Sequence, residues 1–171
     1  MLFMNKASKS VIIMRHAKSS WEDSSAGDHE RGLMDKGIMR TKKVAEFMIV
    51  NNINPQLILS STAKRAVETA KIIADSISYE REKIVLSKKL YLSYTDDVFD
   101  ELFEVDNNIS SVMVFGHNPC FTDLVNMFLK KQIDNLPTSG MAVIEFKTDK
   151  WKEIPNSKFS VKHLIFPSKL D

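Results

Sequence analysis

The 171-residue chain has one cysteine, Cys120, so it cannot close an internal disulfide, and this usage agrees with a reducing cytosol. It has no excess of either charge. A net charge of +2 sets up no global field toward nucleic acid or a membrane, although a local basic patch around a small anion stays open. No apolar run approaches the length of a membrane span. The brief apolar start at residues 1–5 is followed, not preceded, by Lys6 and Lys9, the wrong order for a secretory signal. Residues 1–8 are therefore expected to be an N-terminal tail, and the protein to be cytoplasmic. The spacings His-x-x-His, His-Glu-x-x-His and Cys-x-x-Cys are missing, which leaves a metal hydrolase without motif support. There is no internal repeat, low-complexity tract or linker-like stretch, so a single domain over residues 1–171 is expected.

What is present is ordinary in bulk. A hydrophobic fraction of 43% and a charged fraction of 27% belong to a globular chain long enough to bury a core without staples. Val11-Ile12-Ile13-Met14 reads as a short buried strand. Residues 19–31 form a polar loop of a length that is often functional. Asp35-Lys36-Gly37 opens a helix carried by Ile38, Thr41, Ala45, Met48 and Ile49, and Asn51-Asn52 before Pro55 ends it.

Leu57-Ile58-Leu59 is a second strand, followed by the cleanest amphipathic helix in the chain: Ala63, Ala66, Val67, Ala70, Ile73, Ala74 and Ile77 recur at helical spacing. Ile84-Val85-Leu86 predicts a third strand, residues 97–105 a looser helix, and Val112-Met113-Val114-Phe115 a fourth strand. Gly116-His117-Asn118-Pro119 turns into a helix over residues 120–130, with proline favoured at its start. Residues 141–146 and 160–166 predict two more strands, the first pairing as a hairpin with the Trp151 region. Alternating strands and helices imply a three-layer α/β/α sandwich with a mainly parallel sheet and an antiparallel edge.

Three segments begin where a predicted strand stops, which is where open α/β sheets bind ligands. The first supplies Arg15 and His16, the second Arg65 in the first turn of a helix, the third His117. With parallel strands, all of them meet on one edge of the sheet. That residue set suits a phosphoryl group: guanidinium forks bind its oxygens, and a neutral imidazole can attack phosphorus. Taken singly, each has a plainer role: a strand-end cap, a solvated helix face, a turn histidine. His29 and His163 are expected to be ordinary surface or strand histidines, and Cys120 a packing residue.

The motifs themselves carry a family resemblance over about residues 11–146. Arg15-His16-Ala17-Lys18-Ser19-Ser20-Trp21 resembles the Arg-His-Gly signature of the histidine phosphatase (phosphoglycerate-mutase-like) superfamily, with Ser19 and Trp21 where many members have Ser and Trp. Ser60-Ser61-Thr62-Ala63-Lys64-Arg65-Ala66-Val67-Glu68-Thr69-Ala70 is similar to its second motif, and Gly116-His117-Asn118-Pro119 to its second-histidine motif. The small size, Ala17 and Asp28-His29-Glu30-Arg31-Gly32-Leu33 resemble the compact SixA-like phosphohistidine phosphatases.

The resemblance implies a phosphoglycerate mutase-like fold and a phosphatase that needs neither metal nor other cofactor. His16 would be the nucleophile; Arg15, Arg65 and a protonated His117 would neutralise the phosphoryl oxygens; Ser19 and Asn118 would bind substrate. The substrate would be a phosphohistidine protein or a small phosphate ester, with no nucleic-acid or membrane partner.

Ala17 replaces the usual glycine, which requires a backbone outside positive φ. Glu22 stands where mutase-type members have Asn, against a sugar-acid pocket. Larger members carry a glutamate general acid on an insertion that is short here, where Asp96, Asp97 and Asp100 are the nearby carboxylates; the alternative is that these acids favour the following helix N-terminus. The competing function is a non-catalytic phosphate- or phosphoprotein-binding module on the same fold.

Overall fold

The computed structural model describes residues 8–21 and 27–170; expectations about the N-terminal tail and Glu22 fall on residues 1–7 and 22–26, outside the described ones. Its elements run β1 (Lys9–Arg15), α1 (Asp35–Val50), β2 (Leu57–Ser61), α2 (Lys64–Ser76), β3 (Val85–Ser87), α3 (Thr95–Phe103), β4 (Ser111–Gly116), α4 (Cys120–Asn126), β5 (Met141–Phe146) and β6 (Phe159–Ile165). The six strands form one sheet in the order β3-β2-β4-β1-β5-β6. Neighbours among β1 to β4 pair in parallel, and β5 and β6 form the antiparallel edge.

The sheet is covered on both faces because its inner strands carry apolar residues on both sides through their centres. In β1, side-chain alternation sends Val11 and Ile13 to one face and Ile12 and Met14 to the other. The first face packs against Val98, Phe99 and Leu102 of α3 and Phe121, Leu124 and Val125 of α4. The second packs against Val44, Ala45 and Met48 of α1 and Ala70, Ile73 and Ala74 of α2. This is the expected three-layer α/β/α sandwich.

Several local readings shift. Helix α3 begins at Thr95 and not at Asp97, because the Asp97 carboxylate reaches back to accept the Tyr94 amide at 2.7 Å, a cap inside the first turn. Helix α4 stops at Asn126, not Lys130: the Asn126 side chain exchanges two 2.9 Å hydrogen bonds with the Ile133 backbone and folds the chain back. Strand β3 is a three-residue edge with Val85 and Leu86 exposed. The Trp151 region is not a strand. It is a 3-10 segment (Trp151–Asn156) that buries the indole and satisfies its N–H on the Ile109 carbonyl, while β5 pairs with β6 and β1.

Candidate active site

Register decides what meets at the sheet edge. Arg15 pairs with Gly116 across β1 and β4, so the next residues, His16 and His117, leave the sheet side by side with ring centroids 5.0 Å apart. Ser60 pairs with Phe115 across β2 and β4, which brings Ser61 within 2.8 Å (Oγ to Nε2) of His117. Arg65 lies in the first turn of α2, directly after β2, and is 4% exposed. The four residues expected to converge do so.

His16 is held with one nitrogen unprotonated. Its Nδ1 lies 2.7 Å from the Ala17 carbonyl, which can only accept, so Nδ1 carries the hydrogen and Nε2 keeps its lone pair. The Arg65 Nε–H points at that lone pair from 3.3 Å. Burial pushes the His16 pKa down to about 4; the Ala17 hydrogen bond works against this, and Arg65, Arg15 and Arg31 reinforce it. Ala17, outside positive φ as its side chain requires, is fixed by its amide donating to Thr69 Oγ1 at 2.9 Å. The Thr69 hydroxyl donates to the Arg65 carbonyl, tying the loop after β1 to α2.

His117 differs from expectation. Burial, then His16 and Arg65, lower its pKa to about 3, so in the free protein it is neutral and not an imidazolium. Ser61 Oγ accepts the Ala63 amide at 3.2 Å and lies 2.8 Å from His117 Nε2, where either atom can supply the hydrogen. With the hydroxyl as donor the ring hydrogen sits on Nδ1, which is buried without a partner.

Arg15 donates through Nη1 to the Leu136 carbonyl at 2.8 Å and to Asn135 Oδ1 at 3.2 Å, and its buried Nε is unpartnered. Asn118 reaches the same two acceptors through Nδ2 and accepts the Thr122 amide. Its side chain therefore braces the 135–136 turn that seats Arg15. Ser19 is buried at the cavity wall, in a bridge with Leu33.

The cavity measures about 530 Å³ and is lined by Arg15, His16, Ser19, Arg65, His117 and Asn118. It is also lined by residues given no site role from sequence: Lys18, Asp28, Arg31 and Thr138. Asp28 accepts from Arg65 (Nη2 to Oδ2, 3.0 Å), pairs with Arg31 (Nη2 to Oδ1, 3.1 Å) and accepts from the Tyr91 hydroxyl at 2.8 Å. The run of charge in Asp28-His29-Glu30-Arg31, at the end of the polar loop, was the signal available for Asp28 and Arg31. Tyr91 left none.

His29 sits behind this wall, with Nε2 3.0 Å from Thr62 Oγ1 and its ring edge-on to Tyr91. His163 packs on Phe47, and Cys120 is buried with its thiol pKa raised by that burial, as a packing residue is. Asp96, Asp97 and Asp100 do not line the cavity; Asp97 caps α3, and the carboxylate at the cavity among the described residues is Asp28. No group of three or more His, Cys, Asp or Glu among the described residues could hold a metal ion.

The arrangement suits a tetrahedral oxyanion. Guanidiniums of Arg15, Arg31 and Arg65 and the buried, unpartnered Nδ1 of His117 lie around a second imidazole whose Nε2 is unprotonated.

Comparison with known proteins agrees with this chemistry. Residues 11–90 match the model of the histidine phosphatase superfamily, branch 1. An uncharacterized chloroplastic protein of Arabidopsis thaliana is 30% identical over 156 residues, 85% of this chain and 70% of its own. A structure described as a candidate phosphohistidine phosphatase SixA from Agrobacterium tumefaciens superposes with a TM-score of 0.77 at 24% identity, covering 93% of this chain and 98% of that one. A protein histidine phosphatase SixA complexed with tungstate gives 0.79 at 20% identity, over 95% and 99% of the two chains. Those likenesses concern the fold. The matched family model, the 30%-identical relative and the two histidines and two arginines gathered at one sheet edge lead to one conclusion: the chain belongs to the histidine phosphatase superfamily.

Proposed function

We propose that the protein is a phosphatase that works without a metal, through a phosphohistidine formed on His16 Nε2. The observation that carries this reading is the unprotonated Nε2 of His16, met by the Arg65 Nε–H at the edge of a cavity walled by arginines. In the first step Nε2 bonds to phosphorus as the bond to the leaving group breaks in line. In the second, water attacks phosphorus, the N–P bond breaks, and inorganic phosphate and neutral His16 are released. Arg15, Arg31, Arg65 and the His117 Nδ1–H stabilise the equatorial oxygens in both steps, a preorganised electrostatic contribution. The guanidiniums supply the neutralisation a metal gives elsewhere. Ser19 contacts the bound group from the wall, and Asn118 acts by seating Arg15.

The substrate class we favour is a phosphohistidine on a protein, with small phosphate esters as the second choice. No inserted domain roofs the cavity between β3 and β4, and Trp21, Leu92 and Tyr94 are exposed near its mouth. The fold likeness to structures described as SixA points the same way. A phosphoramidate protonated on nitrogen leaves as neutral imidazole, which asks little of a general acid. The reading includes a cytoplasmic setting and no nucleic-acid or membrane partner; no helix among the described residues is long and apolar enough to cross a membrane.

The test is p-nitrophenyl phosphate hydrolysis in EDTA by the native protein and by His16→Ala, followed by a phosphohistidine protein. Activity that survives EDTA and disappears in His16→Ala, with an acid-labile phosphoenzyme only in the native protein, is the expected result. Full activity in His16→Ala sinks the mechanism. A non-catalytic phosphate-binding module is the second reading. It is favoured by Asp28, the carboxylate at the cavity, being held in ion pairs, and tight phosphate binding with no turnover would establish it.

A further inference from the structure

We infer that Asp28 is a positioning residue that clamps Arg31 and Arg65 as a pair on the phosphoryl group, with Tyr91 holding the clamp. This rests on the phosphatase reading above and goes beyond it, since Asp28 touches neither His16 nor, in that reading, the reacting atoms.

The two oxygens of one carboxylate are shared between two guanidiniums that would otherwise repel each other. Oδ1 takes Arg31 Nη2 at 3.1 Å and Oδ2 takes Arg65 Nη2 at 3.0 Å. The Asp28 backbone carbonyl adds a 2.6 Å bond from Arg65 Nη1, so both terminal nitrogens of Arg65 are engaged by this one residue. The Tyr91 hydroxyl donates to Oδ2 at 2.8 Å and fixes the carboxylate from the opposite side of the chain.

Arg65 is thus gripped by both terminal nitrogens and Arg31 by one, and each presents its Nε–H elsewhere. For Arg65 that N–H is aimed at His16 Nε2; for Arg31 it is buried with no partner in a side chain that lines the cavity. Arg31 is further pinned by the Trp21 ring, 3.4 Å from its central carbon to the ring centroid. Burial works to raise the Asp28 pKa, but the Tyr91 and Arg65 hydrogen bonds outweigh it, so the clamp is ionised at neutral pH. The Asp28 side chain is 40% exposed while those of Arg31 and Arg65 are 9% and 5% exposed, so one half-exposed carboxylate serves two guanidiniums held out of water. Its geometry orients the two guanidiniums.

Orientation predicts coupling, and inorganic phosphate binding to the full chain measures it by calorimetry without any need for turnover. Arg31→Ala is expected to weaken phosphate binding about tenfold beside Asp28, and only roughly twofold in the Asp28→Asn background, because there the guanidinium is no longer aimed. Equal factors in the two backgrounds overturn the clamp. For catalysis, Asp28→Asn is expected to lower kcat about tenfold or more, a larger factor than the accompanying rise in KM, in a protein that stays folded; Asp28→Glu should recover part of the loss. Unchanged kcat, or parallel losses in kcat, KM and melting temperature, would instead leave Asp28 a bystander or a merely structural residue.

Should Asp28→Asn fail to fold, the same cycle is run with Tyr91→Phe, where a coupling of about threefold supports the clamp and additivity overturns it. If the native protein binds phosphate but turns nothing over, the phosphatase reading fails while the binding cycle still decides the clamp. If it binds no phosphate, both fall.

Discussion

A histidine that attacks phosphorus must be neutral and must keep one ring nitrogen free, and here its own neighbour arranges this. The Ala17 carbonyl holds the hydrogen on Nδ1, and burial with the arginines nearby takes the His16 pKa to about 4 and the His117 pKa to about 3. An NMR titration of the free protein should place both midpoints well below the ordinary histidine value of about 6.5. Adding phosphate should move His117 upward, because an anion against its ring favours the charged form. Midpoints near the ordinary value in the free protein would contradict the buried, cation-walled site.

Arg65 makes a second residue-scale case. It reaches Asp28 with two nitrogens and His16 with the third, a fork that lysine cannot reproduce. Arg65→Lys should lower kcat about a hundredfold in steady-state assays while the protein stays folded. His16, Arg15, Arg65 and His117 were legible in the sequence because each follows an apolar run. Asp28, Arg31 and Tyr91 sit in or just after single 3-10 turns too short to show a period, and their convergence comes only from the packing of these connections.

At the scale of elements, the first turn of α1 is as much a part of the site as the loop it supports. The Lys18 carbonyl accepts the Met34 amide and the Ser20 amide donates to the Gly32 carbonyl, so residues 18–20 are zipped to 32–34 at the mouth of the helix. Gly37 makes that approach possible: a Cβ there would lie 2.4 Å from the Lys18 carbonyl oxygen and 2.8 Å from its nitrogen, both backbone atoms. Gly37→Ala should therefore destabilise the protein by about 1–3 kcal/mol in denaturant titrations. It should also reduce activity by displacing Lys18 and Ser19 from the cavity wall. A variant as stable and active as the native protein would show the contact to be looser than described.

Element boundaries were less legible than element types. Asp97 belongs inside α3 as a cap, and α4 ends early because Asn126 bonds to a turn seven residues ahead. Both effects come from side chains reaching the backbone, which hydrophobic spacing does not report.

At the scale of the whole molecule, the buried histidines make stability depend on pH. Their folded pKa values lie below the unfolded one, so between about pH 6.5 and pH 4 the unfolded chain binds more protons than the folded one. Stability is complete above that window and falls as the pH drops through it. For His16 the loss is about 3 kcal/mol by pH 4. Thermal melts should show the melting temperature decreasing from pH 7 to pH 4.5, with inorganic phosphate recovering part of it by binding the folded state. A flat profile over that range would mean that the histidines titrate normally.

By itself the sequence determined the layers. Apolar runs set the strands, helical spacing set the two covering faces, and an Arg-His pair, an Arg and a His after three of the strands named the chemistry. These are local patterns, and local patterns survive in one dimension. Only the tertiary structure decided the register that sets His16 beside His117, the neutral state that burial imposes on both, and the meeting of Asp28 with Arg31, Arg65 and Tyr91. Each of those depends on atoms far apart in the chain coming within hydrogen-bonding distance or out of water together, and that is a property of packing.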